Sequence, residues 1–343
     1  MLAERHAAGR DSVFGTIDTV GDAWSWLILR EAIVHDVRRF NEFRDRLGIA
    51  RATLQARLGQ LTRRGLLEVR PRSERAPLSE YVLSASGRDF FVCLATAMRW
   101  GERWCVDRRA EPEKTTHTRC GARFEAVLKC SECDEQIEAR AVDVTLARRA
   151  RAGLRGSGPD GGRCREPGLQ LLERERACPI ARTLRVLGDR WSGLVIREAF
   201  LRTRRFDDFQ KKLGIAPNIL SARLGRLVEL GVLARRPYQE RPPRHEYRLT
   251  KKGLDLYPVP LAMLTWGDRW LAGGKPKLLL SHRPCGRRFT ALLGCRRCGK
   301  PVERCDVAFS APPERTQGRR RVARALRPHS SRSAQRQDAV ARR

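Results

Sequence analysis

The sequence has no apolar run near the ~20 residues that a membrane span requires. The stretch from Met1 to Asp11 has no apolar signal-peptide segment. A P-loop, a dinucleotide fingerprint and a nucleophile–base constellation are all missing, which argues against an enzyme. Acid is scarce. Asp plus Glu number 39 against 70 for Lys plus Arg, a net charge of +31. Such an excess predicts a polyanionic partner, with nucleic acid the default. The plainer reading is an arginine-rich solvated surface. Cysteine is not lacking. Of eleven, six fall into two matching clusters with metal-like spacing, which favours a reducing interior over a secreted disulfide scaffold. The expected location is the cytoplasm, at the bacterial nucleoid, with no membrane partner.

What is present is present twice. Gly21-Asp22-Ala23-Trp24-Ser25 stands beside Gly188-Asp189-Arg190-Trp191-Ser192, and Leu47-Gly48-Ile49-Ala50 beside Leu213-Gly214-Ile215-Ala216. Trp100-Gly101 and Arg103-Trp104 return as Trp266-Gly267 and Arg269-Trp270. The chain reads as two related modules in tandem. The expected boundaries are a first domain over 12–110 with a His/Cys hairpin over 115–144, and a flexible linker over 145–177. A second domain follows over 178–273, with its hairpin over 278–309. From Ala311 onward ten arginines face only Glu314 and Asp338, so 311–343 reads as a disordered basic tail.

Each module begins with a buried amphipathic helix, Trp24 to Ile33 or Trp191 to Phe200. A short helix, a glycine break and a third helix follow. Leu54, Leu58 and Leu61, or Leu220, Leu224 and Leu227, put one apolar face on that third helix. Gly65 and Gly231 stop it, as left-handed caps do. Two short apolar stretches around a Pro/Arg-rich turn then predict a hairpin. The fold class is α+β, mainly α: two tandem winged helix-turn-helix domains, each with a small C-terminal His/Cys hairpin able to form a zinc ribbon.

Helix, turn, helix and basic ribbon suit duplex DNA, because a helix fits the major groove and arginines reach phosphate. The recognition helices are expected at about 51–64 and 217–230. Candidate contacts on them are Arg51, Thr53, Gln55 and Arg57, and Pro217, Asn218, Ser221 and Arg223. Arg57 and Arg223 flank the apolar face, so contact with phosphate and cover for the core both stay open. On the wings the candidates are Arg72, Arg75, Arg241 and Arg244.

Each module closes with His-x2-Cys-x9-Cys-x2-Cys: His117, Cys120, Cys130 and Cys133, then His282, Cys285, Cys295 and Cys298. Nine of the seventeen positions agree between the copies, all four candidate ligands among them. Three thiolates and an imidazole match a closed structural zinc set. The expectation is one zinc per module, its knuckles brought together by a hairpin through Arg123 to Lys129. Reduced thiols in a small core, and redox-switched thiols, are the other readings.

The run Cys178-Pro179-Ile180-Ala181, Gly188-Asp189-Arg190-Trp191, Gly214-Ile215, Leu220-Ser221-Ala222-Arg223-Leu224 and Arg241-Pro242-Pro243 resembles the HxlR-type winged-helix transcriptional regulators. The likeness covers most of module two and, more loosely, module one. It implies a bacterial DNA-binding regulator that dimerises through its terminal helices. It also implies that Cys178 could sense oxidants or electrophiles; a buried inert thiol is the alternative. The chain departs from the pattern at Ala50 and Ala216, where the family often has Ser or Thr. The copies also differ from each other, with Ala23 against Arg190 and Asp11 against Cys178. The expected partner is double-stranded DNA, read by a homodimer or by one chain as a pseudo-dimer on a site with unlike halves. Rival readings are a non-specific architectural protein, a thiol-based redox regulator and a protein-interaction module.

Overall fold

The computed structural model describes residues 11–73, 76–105, 114–147 and 178–310. Residues 148–177 of the linker expected over 145–177, the tail over 311–343 and the candidate Arg75 lie outside the described residues.

In the first half, α1 (Ser12–Val20) is capped by the Asp11 carboxylate, which accepts from Phe14 N, and α2 (Ala23–His35) by Asp22, which accepts from Ser25 N. α3 (Phe40–Leu47) ends at Gly48, whose φ of 59° supplies the left-handed turn. α4 (Arg51–Arg63) starts without a side-chain cap; the Ala50 carbonyl accepts from Leu54 N instead. It stops at Gly65, φ 72°, as the sequence predicts. β1 (Leu67–Ser73) and β2 (Ala76–Leu83) pair antiparallel, Val69 opposite Tyr81, and Tyr81 N donates to Arg38 O at the edge. α5 (Ala85–Asp89) and the long α6 (Phe91–Trp104) complete the winged domain.

The second half repeats this as α7 (Pro179–Leu187), α8 (Arg190–Phe200), α9 (Phe206–Leu213), α10 (Pro217–Glu229), β6 (Leu233–Gln239), β7 (Arg244–Leu249), α11 (Lys251–Asp255) and α12 (Pro258–Trp270). Pro258 delays α12 by one residue against α6, and its missing N–H costs nothing at a helix start.

The halves are packed crosswise. α1 of the first half lies on α12 of the second, α7 lies on α6, and α6 meets α12 between them. Gly101 and Gly267 allow this approach. A Cβ on Gly101 would stand 2.0 Å from Pro179 O, and one on Gly267 2.5 Å from Ser12 O. Thr183 Oγ1 donates to Ala97 O at 2.7 Å, and Thr16 Oγ1 to Met263 O at 2.8 Å. Trp26, Phe90 and Trp266 stack edge to face at 5.0 and 5.6 Å, joining both halves in one core. Trp100 and Trp266 reach across to donate to Lys252 O and Ser86 O.

The C-terminal pieces are not separate hairpins. The strands are β3 (Thr115–His117), β4 (Ala126–Cys130) and β5 (Val142–Leu146), then β8 (Leu278–His282), β9 (Arg287–Arg288), β10 (Ala291–Cys295) and β11 (Val307–Phe309). β4 pairs with β10, β3 with β11 and β5 with β8, all antiparallel and all between halves. This corrects the expected self-contained hairpin in each module; of these strands only β8 and β9 pair within their own half. The turn at His117–Gly121 folds tightly on itself, with His117 N donating to Ala122 O, and leaves only a single bridge, Thr116 to Arg123, between the flanking segments. β4 therefore satisfies its backbone groups against the other half. The expected linker also starts later than 145, because β5 runs to Leu146 and Ala147 N donates to Lys277 O.

Candidate nucleic-acid interface and metal centres

α4 and α10 are held on their domains by the three leucines of each helix, all fully buried. That fixes what faces outward. Arg51, Gln55 and Ala56 are exposed on α4, and Pro217, Asn218, Ser221 and Ala222 on α10; Thr53 is half-buried. Gly59 and Gly225 lie on the same outer faces. A Cβ on Gly225 would meet nothing within 4 Å, and one on Gly59 only the tip of Arg63 at 3.3 Å. Glycine inside a helix costs about 1 kcal/mol relative to Ala. Packing among the described residues does not require it at Gly225.

Arg57 and Arg223 resolve toward the protein. Arg57 Nε is 3.3 Å from an Asp22 oxygen, and Arg223 Nε donates to Asp189 Oδ1 at 3.0 Å. Those carboxylates cap α2 and α8, so the arginines tie α4 to α2 and α10 to α8. A related knot lies in the first half. Burial pushes the Glu31 carboxyl up, but Arg30, His35 and Arg46 outweigh it and hold the group below its ordinary value. On the wings, Arg241 and Arg244 are exposed near the tip, while Arg72 belongs to β1. Arg235 and Arg236, also exposed, extend the basic face of the second wing.

The His/Cys residues do meet, but not in the sets that sequence order suggests. His117 and Cys120 come together with Cys295 and Cys298; Cys130 and Cys133 come together with His282 and Cys285. Within each set every candidate ligand atom lies within 4.8 Å of the others. His117 Nδ1 is 3.1 Å from Cys120 Sγ and 3.5 Å from Cys298 Sγ. His282 Nδ1 is 3.3 Å from Cys133 Sγ and 3.7 Å from Cys285 Sγ, with Cys130 Sγ 4.0 Å from Cys285 Sγ. Bond lengths of about 2.3 Å to sulfur and 2.0 Å to nitrogen place tetrahedral ligands about 3.5–3.8 Å apart. Both imidazoles are fully buried, with Nδ1 turned to the thiols and Nε2 lacking a hydrogen bond. Phe124 and Phe289 pack beside them. These two clusters could bind metal ions.

Cys178 stands half-buried at the start of α7, where its side chain makes no capping bond. Cys93 is fully buried, and burial pushes its thiol well up, so it packs as a small apolar group. The sequence reading missed the residues that lock the halves. Arg197 pairs with Asp11, and Arg190 with Asp18 at 2.7 Å. Arg304 donates to Ile33 O and Val34 O at the end of α2. The repeated Trp-Gly pair was the available signal: glycine inside a tryptophan-rich helix marks a close helix contact.

The HxlR-like helix-turn-helix family model matches residues 19–109 and again 186–275, together just over half of the chain. An uncharacterized HTH-type transcriptional regulator of Mycobacterium tuberculosis is 42% identical over 135 residues, which are 39% of this chain and 85% of that protein. A second, from Bacillus subtilis, is 35% identical over 94 residues, 27% of this chain and 73% of its own length. A solved structure of a transcription-factor candidate from Pseudomonas aeruginosa is 39% identical, with a TM-score of 0.30; the match covers 41% of this chain and 96% of that one.

Proposed function

Because the chain belongs to the HxlR-like helix-turn-helix family, we propose that this transcriptional regulator reads a specific duplex DNA site as a pseudo-dimer within one chain. α4 enters one major groove with Arg51 and Gln55, and α10 enters another with Asn218 and Ser221. Thr53 and Pro217 sit at the groove wall, and the second wing puts Arg241 and Arg244 on phosphate. Arg57 and Arg223 set the helix angle from behind.

One observation carries the reading. Two exposed helix faces of unlike sequence, each with an unneeded glycine, are joined through one continuous core. A homodimer of single modules presents identical faces and suits a palindrome; this arrangement suits a site with unlike halves. Arg can pair with guanine and Gln or Asn with adenine, whereas Ser discriminates weakly. The +31 charge supplies the sequence-independent part of the affinity. The two His/Cys clusters serve as structural zinc sites, since four ligands close the sphere. The protein acts in the cytoplasm, at the nucleoid.

The test is selection of bound genomic fragments, then footprinting. A preference of roughly 10³-fold or more over bulk DNA at physiological salt, with one chain on an asymmetric site, is the expected result. A perfect palindrome occupied by two chains would overturn the pseudo-dimer. Binding with steep salt dependence and no preference would make the protein architectural instead.

A further inference from the structure

We infer that the chain carries two metal centres, each built half from one module and half from the other, so that the metals staple the modules together. This rests on reading the His/Cys clusters as zinc sites.

Each module contributes a His-x2-Cys knuckle and a Cys-x2-Cys knuckle, and each cluster takes one knuckle of each kind from opposite modules. The pairing of β4 with β10 forces this exchange. Ala126 lies opposite Cys295 and Ala291 opposite Cys130, so the two cysteine knuckles leave the ladder at opposite ends. Five paired residues at a rise of about 3.3 Å place those ends about 13 Å apart. At one end stands His117, at the start of the turn after β3; at the other stands His282, at the end of β8. The Cys-x2-Cys knuckle of each module is thus carried away from its own histidine and delivered to its neighbour's.

The donor set selects the metal. Three thiolates and one imidazole nitrogen around a closed position suit a tetrahedral, borderline-soft divalent cation such as Zn²⁺. Binding requires deprotonated thiols, so uptake releases protons. Lys129 ties the two centres' surroundings together: from β4 it donates to Gly299 O, in the knuckle of the other module, at 2.8 Å. Since neither module brings its own four candidate ligands to one centre, metal affinity and docking of the modules are linked: each strengthens the other.

The decisive measurement uses the full-length chain loaded with ¹¹³Cd in place of zinc. Two cadmium resonances are expected. Proton correlations should connect one to Hβ of Cys120, Cys295 and Cys298, and the other to Hβ of Cys130, Cys133 and Cys285. Correlations grouping Cys120 with Cys130 and Cys133 would overturn the exchange. A zinc content near zero in protein purified without chelator would overturn the metal centres, and leave the DNA-binding proposal to stand or fall on its footprint.

Paired variants give a second readout through elemental analysis. Cys120→Ser with Cys298→Ser damages one shared centre and should leave one tightly held zinc. Cys120→Ser with Cys133→Ser takes a ligand from both centres, and should leave neither at wild-type affinity. The reverse pattern would restore one closed site per module.

Discussion

The two sides of the interface between the halves look alike in outline and differ in chemistry. Where α1 meets α8 and α12, Asp11 pairs with Arg197, Arg190 with Asp18, and Ser12 Oγ donates to Asp268 at 2.5 Å. Arg190 also lies over the Phe14 ring at 5.3 Å. On the other side, Cys178 takes the place of Asp11, Ala23 that of Arg190 and Pro179 that of Ser12. Arg30, the counterpart of Arg197, keeps the pair with its following glutamate, Glu31, as Arg197 does with Glu198, but stands opposite Cys178 rather than an aspartate in the repeat. One side is thus held by ion pairs, and the other by hydrogen bonds to backbone, from Arg182 to Cys105 O and from Thr183 to Ala97 O. Duplication supplied the geometry, and the copies then diverged where a homodimer must keep both sides identical.

What the sides share should be the more costly to break. Gly101→Ala and Gly267→Ala each drive a Cβ into backbone of the opposite half. Each should lose more than the ~1–3 kcal/mol typical of overpacking, because a carbonyl cannot turn aside as a side chain can. Gly225→Ala is the control. It meets nothing, so stability should hold or rise slightly while DNA affinity falls. Urea unfolding of the three variants checks this; a stable Gly267→Ala protein would mean that the helices do not sit this close.

The ionic side comes next. Asp11 is fully buried at its carboxylate, and Arg197 Nε donates to it at 2.7 Å. Burial opposes the Arg197 charge, but Asp11 and Glu198 overcome it and hold its guanidinium above the usual value. Removing one partner of such a pair leaves a buried charge, at about 3–5 kcal/mol. Asp11→Ala should approach that loss, whereas Cys178→Ala on the opposite side should cost less than about 1 kcal/mol. Equal losses in chemical denaturation would erase the distinction drawn between the sides. If Cys178 were instead a sensor, Cys178→Ser would abolish oxidant-induced release from DNA and leave stability unchanged.

If α4 and α10 read DNA as proposed, the asymmetry extends to the operator. Gln55→Ala should cost about 1–3 kcal/mol on one half-site only, and Asn218→Ala a similar amount on the other. Binding to operators mutated one half at a time separates them; a loss spread evenly over both halves would contradict the unlike-halves reading.

Much of this was legible in the residues, and what was not has a physical reason. The period of Leu54, Leu58 and Leu61 gave the recognition helix, because an apolar stripe can only face the domain core. The glycine stops at Gly65 and Gly231 were readable, because few other residues accept a positive φ. That these His and Cys residues would cluster was readable too, since few residue sets match a metal site. Their grouping was not. Spacing reports which knuckles exist along the chain, whereas pairing of β4 with β10 depends on the docking of α1, α6, α7 and α12, a contact between residues more than a hundred positions apart. Arg57 and Arg223 were ambiguous for a similar reason. Their positions were plain, but the Asp22 and Asp189 caps that capture them became visible only in three dimensions.

The smallest expected effect is one of pH, and it tests the ionic side at its edge. Asp268 accepts from Ser12 Oγ across the interface, while its counterpart Glu102 pairs with Arg123 of its own half at 3.3 Å. Burial raises Asp268 from 3.8 to about 6; the Ser12 bond counteracts this in part, and Asp11 adds to it. A raised carboxyl means that the fold prefers the neutral form. Its contribution is therefore full below about pH 4, falls as pH rises toward 6, and is constant above that. Asp268→Asn keeps an acceptor for Ser12 and has no charge to bury. The stability of the variant relative to the parent should climb between about pH 4 and pH 6 and then level off, at about 1–2 kcal/mol after allowance for partial solvation. Glu31, held below its ordinary value, loses its contribution at lower pH in both proteins and cancels in the difference. Denaturation at half-unit steps from pH 4.5 to 7.5 checks the slope. A difference that stays flat across that range would mean that Asp268 is already solvated, and that this side of the interface is looser than its hydrogen bonds indicate.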